Sequence, residues 1–323
     1  MIPTELRGSP PLDGTPKSSK WVAMTRRALH IGFVLSVCGY LVYRLSELGW
    51  YEVLASLPVS PWFYILFVVR FLSLPLFEIV IYRRFWRFSI PRSIPVFLRK
   101  RVYNHALLDY SGEAYFYLWA QKNSRDPETR TFSIIKDVNI ASAIVSIAVM
   151  IGLLLTFASS SSIHQVDRFF PSANVYLWIF SLFSLASLCV LIALRRRVVF
   201  LSATDMAAVS TIHVVRLTVV LLLQALQWWV AIPAVPLGDW LFFLTLYMVV
   251  GRLPFVPSKD LAFLAAAVAL AGTVPAQETA ISAMFLANLA LYQIANLLAY
   301  TGTSFKDHAM FIGKAERRQS RHA

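Results

Sequence analysis

Long apolar runs constrain this chain more than any other feature of its sequence. Seven runs each suit a membrane-spanning helix of about 20 residues, near 28–46, 61–82, 138–157, 174–194, 208–234, 238–253 and 281–300, the run 238–253 being short. The chain is 58% hydrophobic and 15% charged, which leaves too little polar surface for a soluble protein of this length. We therefore expect an all-α, polytopic membrane protein.

Two further stretches are apolar but too short to cross a bilayer alone. The stretch 254–275 is interrupted, and its apolar core from Leu261 to Ala271 extends about 16 Å along a helix, against about 30 Å of hydrocarbon. It is either a broken crossing or a hairpin. The stretch 92–122 holds two short apolar pieces, around 94–98 and from Ala114 to Ala120, between basic clusters, and we expect it to be a re-entrant segment.

The lysine and arginine residues cluster between the apolar runs. There are five in 1–27, eleven in 83–137, three in 195–197 and five after residue 301, whereas 47–60, 158–173 and 232–239 hold one in total. The positive-inside rule then places both termini in the cytoplasm, in what we expect to be a bacterial inner membrane. Two cytoplasmic termini need an even number of crossings, so about eight are expected if 254–275 supplies the last. The net charge is +13, but because the basic residues cluster in this way we do not expect the protein to bind nucleic acid.

The chain divides into one membrane domain and two tails. Residues 1–27 are polar and basic with several prolines, which is typical of a disordered cytoplasmic tail. The membrane domain is expected over 28–305, and 306–323 form a second basic cytoplasmic tail. Membrane lipids are the expected partners.

The two interrupted stretches resemble each other. Glu113 and Asp260 each stand just before a short apolar run, at 110–119 and 257–265. Paired broken segments in two halves of a membrane protein are typical of inverted repeats with a substrate site at mid-membrane. Two interpretations are open. Ser111 and Ser258 with the nearby acids cap their own helices, or the acids face a cavity, where they bind a cationic headgroup or carry a proton.

Other charged residues fall inside or beside the apolar runs. Arg70 and Glu78 both lie in 61–82 and are about 12 Å apart along a helix, so they are not expected to pair with each other. Each needs another partner inside the bundle. Arg216 lies near the start of 208–234, while Arg252 and Lys259 flank the second break; these three either contact a lipid phosphate or extend to the membrane surface.

The last apolar run carries a polar face. Asn288, Tyr292, Asn296 and Tyr300 recur every four residues and so share one side of a helix. They either bond to other helices or line a hydrophilic cavity, with Gln224 and Gln227 on the opposite wall. Our candidates for substrate binding are Glu113, Asp260, Arg70, Glu78, Arg216, Arg252, Lys259, Asn288 and Tyr292.

Motifs for catalysis and cofactor binding are absent from the sequence. It contains no nucleotide-binding glycine loop, no dinucleotide fingerprint and no Gly-x-Ser-x-Gly elbow, and its six histidines lack metal-ligand spacing. We therefore expect no cofactor, no metal and no enzyme activity.

An ordered set of short motifs resembles one family. Gly112-Glu113 precedes an aromatic-rich short helix, Asp137 opens the next span, and the break 253–260 precedes an Ala/Leu-rich half-helix and Gly272-Thr273-Val274-Pro275. Over roughly 28–305 this resembles the transmembrane domain of lysylphosphatidylglycerol synthase/flippase proteins. The resemblance implies a lipid-translocating or lipid-binding module with inverted repeats and re-entrant helices.

The chain departs from that family at both breaks. Ser258-Lys259-Asp260 stands where the family has a glycine-rich break with a glutamate, and aromatic residues follow Gly112-Glu113 where it often has an arginine. These changes allow a different headgroup or a loss of the family's activity. Since no aminoacyl-transferring domain follows, lipid aminoacylation is not expected of this chain.

Three functions are therefore considered. The leading hypothesis is a flippase-like lipid transporter or lipid-binding protein that admits a polar or charged headgroup between two repeats. The second is a membrane-embedded enzyme that modifies a lipid or polyprenyl headgroup. The third is a non-catalytic membrane partner of a separate synthase or glycosyltransferase.

Overall fold

The computed structural model describes residues 17–106, 110–124, 126–158, scattered positions between 179 and 193, 199–253, 256, 258–272, 274 and 277–319. Ten helices are delimited in this part of the chain, and no residue of it is in a strand. They are α1 (Lys17–Leu48), α2 (Trp50–Ala55), α3 (Pro61–Tyr82), α4 (Ile90–Ala106), α5 (Ser111–Asn123), α6 (Glu128–Ala158), α7 (Ala203–Ala231), α8 (Leu237–Arg252), α9 (Lys259–Ala271) and α10 (Glu278–Gln319). The predicted all-α class is confirmed for these residues.

Four of the described helices are long and apolar enough to cross a membrane. They cover Pro61–Tyr82, Glu128–Thr156, Ala203–Ala231 and Glu278–Thr303. Each overlaps one of the predicted runs, so the fold is compatible with a membrane protein. The predicted run 174–194 lies mostly outside the described residues, and the count of about eight crossings stays a prediction.

Two helix boundaries differ from the expected ones, and a third agrees. Helix α1 begins at Lys17, inside the segment expected to be a disordered tail, because helix-forming residues already precede its apolar run. Helix α10 continues to Gln319, through most of the expected C-terminal tail. Helix α8 nearly coincides with the predicted short run 238–253. It has 16 residues, or about 24 Å, which is shorter than the hydrocarbon core.

The expected re-entrant stretch 92–122 forms a helical hairpin of α4 and α5. The two helices approach closely at Gly112, whose N–H donates to Asn104 Oδ1 at 2.7 Å. A Cβ on Gly112 would collide with the backbone carbonyl oxygen of Lys100. Helix α4 also packs on α3 and α10, so the hairpin joins the first part of the chain to the last.

Two aromatic cores hold the helices together. In the first, Tyr82, Phe97 and Phe116 from α3, α4 and α5 pack together at centroid distances of 4.5–5.7 Å. In the second, Trp228, Phe263 and Phe285 from α7, α9 and α10 lie within 6.2 Å of one another. Each core surrounds one of the two short helices, α5 or α9, and thereby fixes its position.

Candidate functional site

A small polar cavity lies where α3, α8, α9 and α10 meet. Its volume is about 30 Å³, which is enough for about two water molecules. It is lined by Arg70, Tyr247, Asp260, Phe263, Leu264, Phe285, Asn288, Leu289 and Tyr292. Four of the predicted site residues, Arg70, Asp260, Asn288 and Tyr292, therefore share one cavity.

Arg70 is a buried cation held by neutral groups. One guanidinium nitrogen donates to Gln224 Oε1 of α7, and another donates to Asn288 Oδ1 of α10 at 3.2 Å. Gln227 donates to the same Asn288 oxygen at 3.2 Å. The Arg70 Nε is buried, and nothing in the described part of the chain accepts its hydrogen bond. No described carboxylate forms an ion pair with Arg70, although a buried charge normally requires one.

Asp260 provides the negative charge of the cavity wall. It lies in the first turn of α9, and its Oδ2 is 3.2 Å from His105 Nδ1 of α4. The other ring nitrogen of His105 is 3.1 Å from Gln293 Oε1 of α10, and the ring meets Tyr292 edge-on at 4.9 Å. These contacts join the α4–α5 hairpin directly to α9 and α10.

Glu113 and Glu78 meet at a different cation, Lys100 of α4. The Lys100 Nζ is 3.0 Å from Glu78 Oε1 and 3.5 Å from Glu113 Oε1, and the Lys100 side chain is 3% exposed. Burial acts to lower the pKa of Lys100, but the two carboxylates more than offset this and raise the pKa above its ordinary value. The amine therefore stays protonated.

The capping interpretation is wrong for Ser111, and for Ser258 it is confirmed in position only. Ser111 is the first residue of α5 rather than its N-cap, and its hydroxyl donates to the Tyr103 carbonyl at 2.6 Å. Ser258 is at the N-cap of α9, but its side chain makes no capping hydrogen bond because the backbone there is left-handed, at φ 53°. Glu113 and Asp260 both lie in the first turn of their helices, and each contacts a basic side chain of α4, Lys100 or His105.

The two acids do not share one cavity, contrary to expectation. Asp260 lines the cavity with Arg70, whereas Glu113 contacts Lys100. The physical reason is that α4 packs on both α5 and α10 and presents Lys100 to one acid and His105 to the other.

The remaining candidates lie apart from the cavity. Arg216 donates to Ser142 Oγ of α6 at 3.0 Å. Arg252 is exposed at the last residue of α8, and Lys259 is half-buried at the first residue of α9. None of these three cations lines the cavity.

The sequence did not single out Lys100 or Tyr247. Lys100 stands in the run Arg99-Lys100-Arg101, which is typical of a solvated basic cluster. Tyr247 lies in an apolar run with no polar periodicity. Only the docking of α4 against α3 and α5 shows that Lys100 points inward.

No family model, curated protein or solved structure matches this chain. The resemblance to the lysylphosphatidylglycerol synthase/flippase membrane domain therefore stays a prediction.

Proposed function

We propose that this protein is a flippase-like transporter that binds the polar headgroup of a membrane lipid in the Arg70 cavity. The observation that supports this best is Arg70 itself. It is the tenth of the 22 residues of α3, near the centre of a helix of crossing length. A charge at that depth is costly and typically marks a binding site or pathway.

The surroundings of Arg70 favour an anionic ligand. Its partners Gln224 and Asn288 are neutral amides, which satisfy hydrogen bonds without compensating the charge. A lipid phosphate would supply both the charge and a further acceptor. Phosphate oxygens accept forked hydrogen bonds from a guanidinium, which is the geometry that arginine prefers.

Similar starts of the two short helices support an internal repeat as part of the proposal. Helices α5 and α9 both have 13 residues. Tyr110 and Ser258, which directly precede them, are the non-glycine residues with positive φ in the described part of the chain. Broken helices in corresponding positions are a feature of transporters built from repeats. We include in the proposal about eight crossings, an inner-membrane location and two cytoplasmic termini.

The cavity of about 30 Å³ is too small for a lipid headgroup, so a headgroup enters only when helices separate. The contacts of His105 with Asp260 and Gln293 bridge α4 to α9 and α10. We infer that these contacts open and re-form during transport, in the manner of a gated site.

Lipid translocation in proteoliposomes tests the proposal. Acyl-labelled lipid that crosses the bilayer becomes accessible to a membrane-impermeant quencher, and the rate is compared between wild type and Arg70→Gln. We expect a loss of about ten- to hundredfold, since a hydrogen bond to a charged group contributes about 1.5–3 kcal/mol. The matched control is Arg92→Gln, because Arg92 is exposed on α4 and lies outside the cavity.

Three results would overturn the proposal. The first is an unchanged rate in Arg70→Gln. The second is a chemically altered lipid product, which would indicate the membrane-embedded enzyme. The third is a chain that moves no lipid and purifies with a separate synthase or glycosyltransferase, which would indicate the non-catalytic partner.

A further inference from the structure

The cavity has an aromatic wall beside Asp260. Four of its lining residues are aromatic: Tyr247, Phe263, Phe285 and Tyr292. Tyr247 meets Phe263 edge-on at 5.3 Å, and Phe263 meets Phe285 edge-on at 5.2 Å, so the rings are turned in different directions around the space.

Aromatic rings in this arrangement bind cations. The face of a ring carries partial negative charge and attracts an ammonium group, and several rings around one space form a cage. One ring of the wall already contacts a cation in the structure: the Arg101 guanidinium lies 5.1 Å from the centre of Tyr292. Asp260, with 31% of its side chain exposed, adds a full negative charge to the same wall.

The cavity thus contains two fixed charges of opposite sign. Arg70 lacks an ionic partner among the described residues and has a buried Nε without an acceptor. Asp260 uses Oδ2 for His105, and a carboxylate has further acceptor capacity on its other oxygen. A ligand with only a phosphate matches Arg70 but faces Asp260, and a ligand with only an ammonium has the reverse mismatch.

We propose that this cavity selects a zwitterionic phospholipid headgroup, with its phosphate on Arg70 and its ammonium between Asp260 and the aromatic wall. The inference rests on the proposed function and names its substrate class. Discrimination comes from the charge that a wrong headgroup leaves unmatched in the site.

Translocation of two lipids by the full chain in proteoliposomes tests this inference. The probes are acyl-labelled phosphatidylethanolamine, which has both charges, and phosphatidylglycerol, which has only the phosphate. We expect phosphatidylethanolamine to move at least tenfold faster in wild type. In Asp260→Asn the ratio of the phosphatidylethanolamine rate to the phosphatidylglycerol rate should fall toward one, mainly because phosphatidylethanolamine moves more slowly. Asp260→Glu should retain most of the wild-type ratio.

The matched control is Asp239→Asn. It makes the same carboxylate-to-amide change on α8, which also contributes Tyr247, but Asp239 does not line the cavity. Its lipid ratio should equal that of wild type. Thermal unfolding of each variant in detergent checks that a lost ratio does not come from a lost fold, and the wild-type comparison needs no variant at all.

The outcomes separate the two proposals. Equal or faster transport of phosphatidylglycerol by wild type would overturn the headgroup assignment and leave the transporter standing. Transport of neither lipid would overturn the transporter and the assignment together. Uptake of radiolabelled phosphoethanolamine into the liposomes would assign the site to a soluble zwitterion instead of a lipid.

Discussion

The contact between α4 and α5 at Gly112 predicts that Gly112→Ala destabilises the protein. In an open helix, Gly→Ala stabilises by about 0.5–1 kcal/mol, because alanine loses less backbone entropy on folding. At Gly112 a methyl group would collide with the Lys100 backbone carbonyl, and the Asn104 side chain stands on the same side. A backbone atom cannot move aside by changing rotamer, so the hairpin itself must shift.

The magnitude follows from these contacts. Overpacking costs about 1–3 kcal/mol, and displacement of the Gly112 N–H from Asn104 Oδ1 costs about 1 kcal/mol more. After subtraction of the helix gain, Gly112→Ala should lower the free energy of unfolding by about 1–3 kcal/mol. The matched variant is Gly152→Ala in α6, where nothing lies within 4 Å of the added Cβ, and it should raise that free energy by about 0.5–1 kcal/mol.

The assay is reversible unfolding by SDS in mixed micelles, followed by circular dichroism. The two alanine variants should move the midpoint in opposite directions. If Gly112→Ala stabilises the protein as Gly152→Ala does, the close approach of α4 to α5 is refuted, and with it the placement of Lys100 beside Glu113.

Two further predictions use the same unfolding assay. Lys100→Met should destabilise the protein by about 3 kcal/mol because it leaves Glu78 and Glu113 without their cation, and conversion of both acids to amides should restore most of the loss. The control, Lys122→Met at an exposed position, should change stability by less than about 0.5 kcal/mol. Equal effects of the two lysine variants would contradict the buried contact of Lys100 with the two acids. Asp137 is fully buried, and its Oδ2 accepts hydrogen bonds from the backbone N–H groups of residues 200 and 201 at 2.7 and 2.8 Å. Asp137→Leu should therefore lower the free energy of unfolding by about 2 kcal/mol. An unchanged stability of Asp137→Leu would show that Asp137 does not anchor residues 200 and 201.

Local patterns in the sequence predicted the long helices and part of the site. The run 61–82 coincides with α3, because proline at its start and the charged residues after Tyr82 bound a continuous apolar stretch. The four-residue spacing placed Asn288 and Tyr292 on one face, and both line the cavity. Arg70 and Glu78 do not pair with each other, as their spacing indicated, and contact Gln224 and Lys100 instead.

Contacts between distant segments were beyond the sequence patterns. The contacts of Lys100 and His105 with carboxylates depend on how the hairpin docks, and no spacing along the chain encodes that. The capping prediction failed at Ser111 because Tyr110 is the N-cap of α5, whereas Ser258 is the N-cap of α9 but makes no side-chain capping bond from its left-handed backbone. The prediction that Glu113 and Asp260 share a cavity was wrong because α4 contributes a separate partner to each acid.

The most direct test of the headgroup site is a map of the full chain in nanodiscs that contain phosphatidylethanolamine. We predict density in the cavity with its phosphate within hydrogen-bond distance of the Arg70 guanidinium and its amine beside Asp260. A map with ordered lipid elsewhere, water alone in the cavity and Arg70 still bonded only to Gln224 and Asn288 would contradict lipid binding at this site.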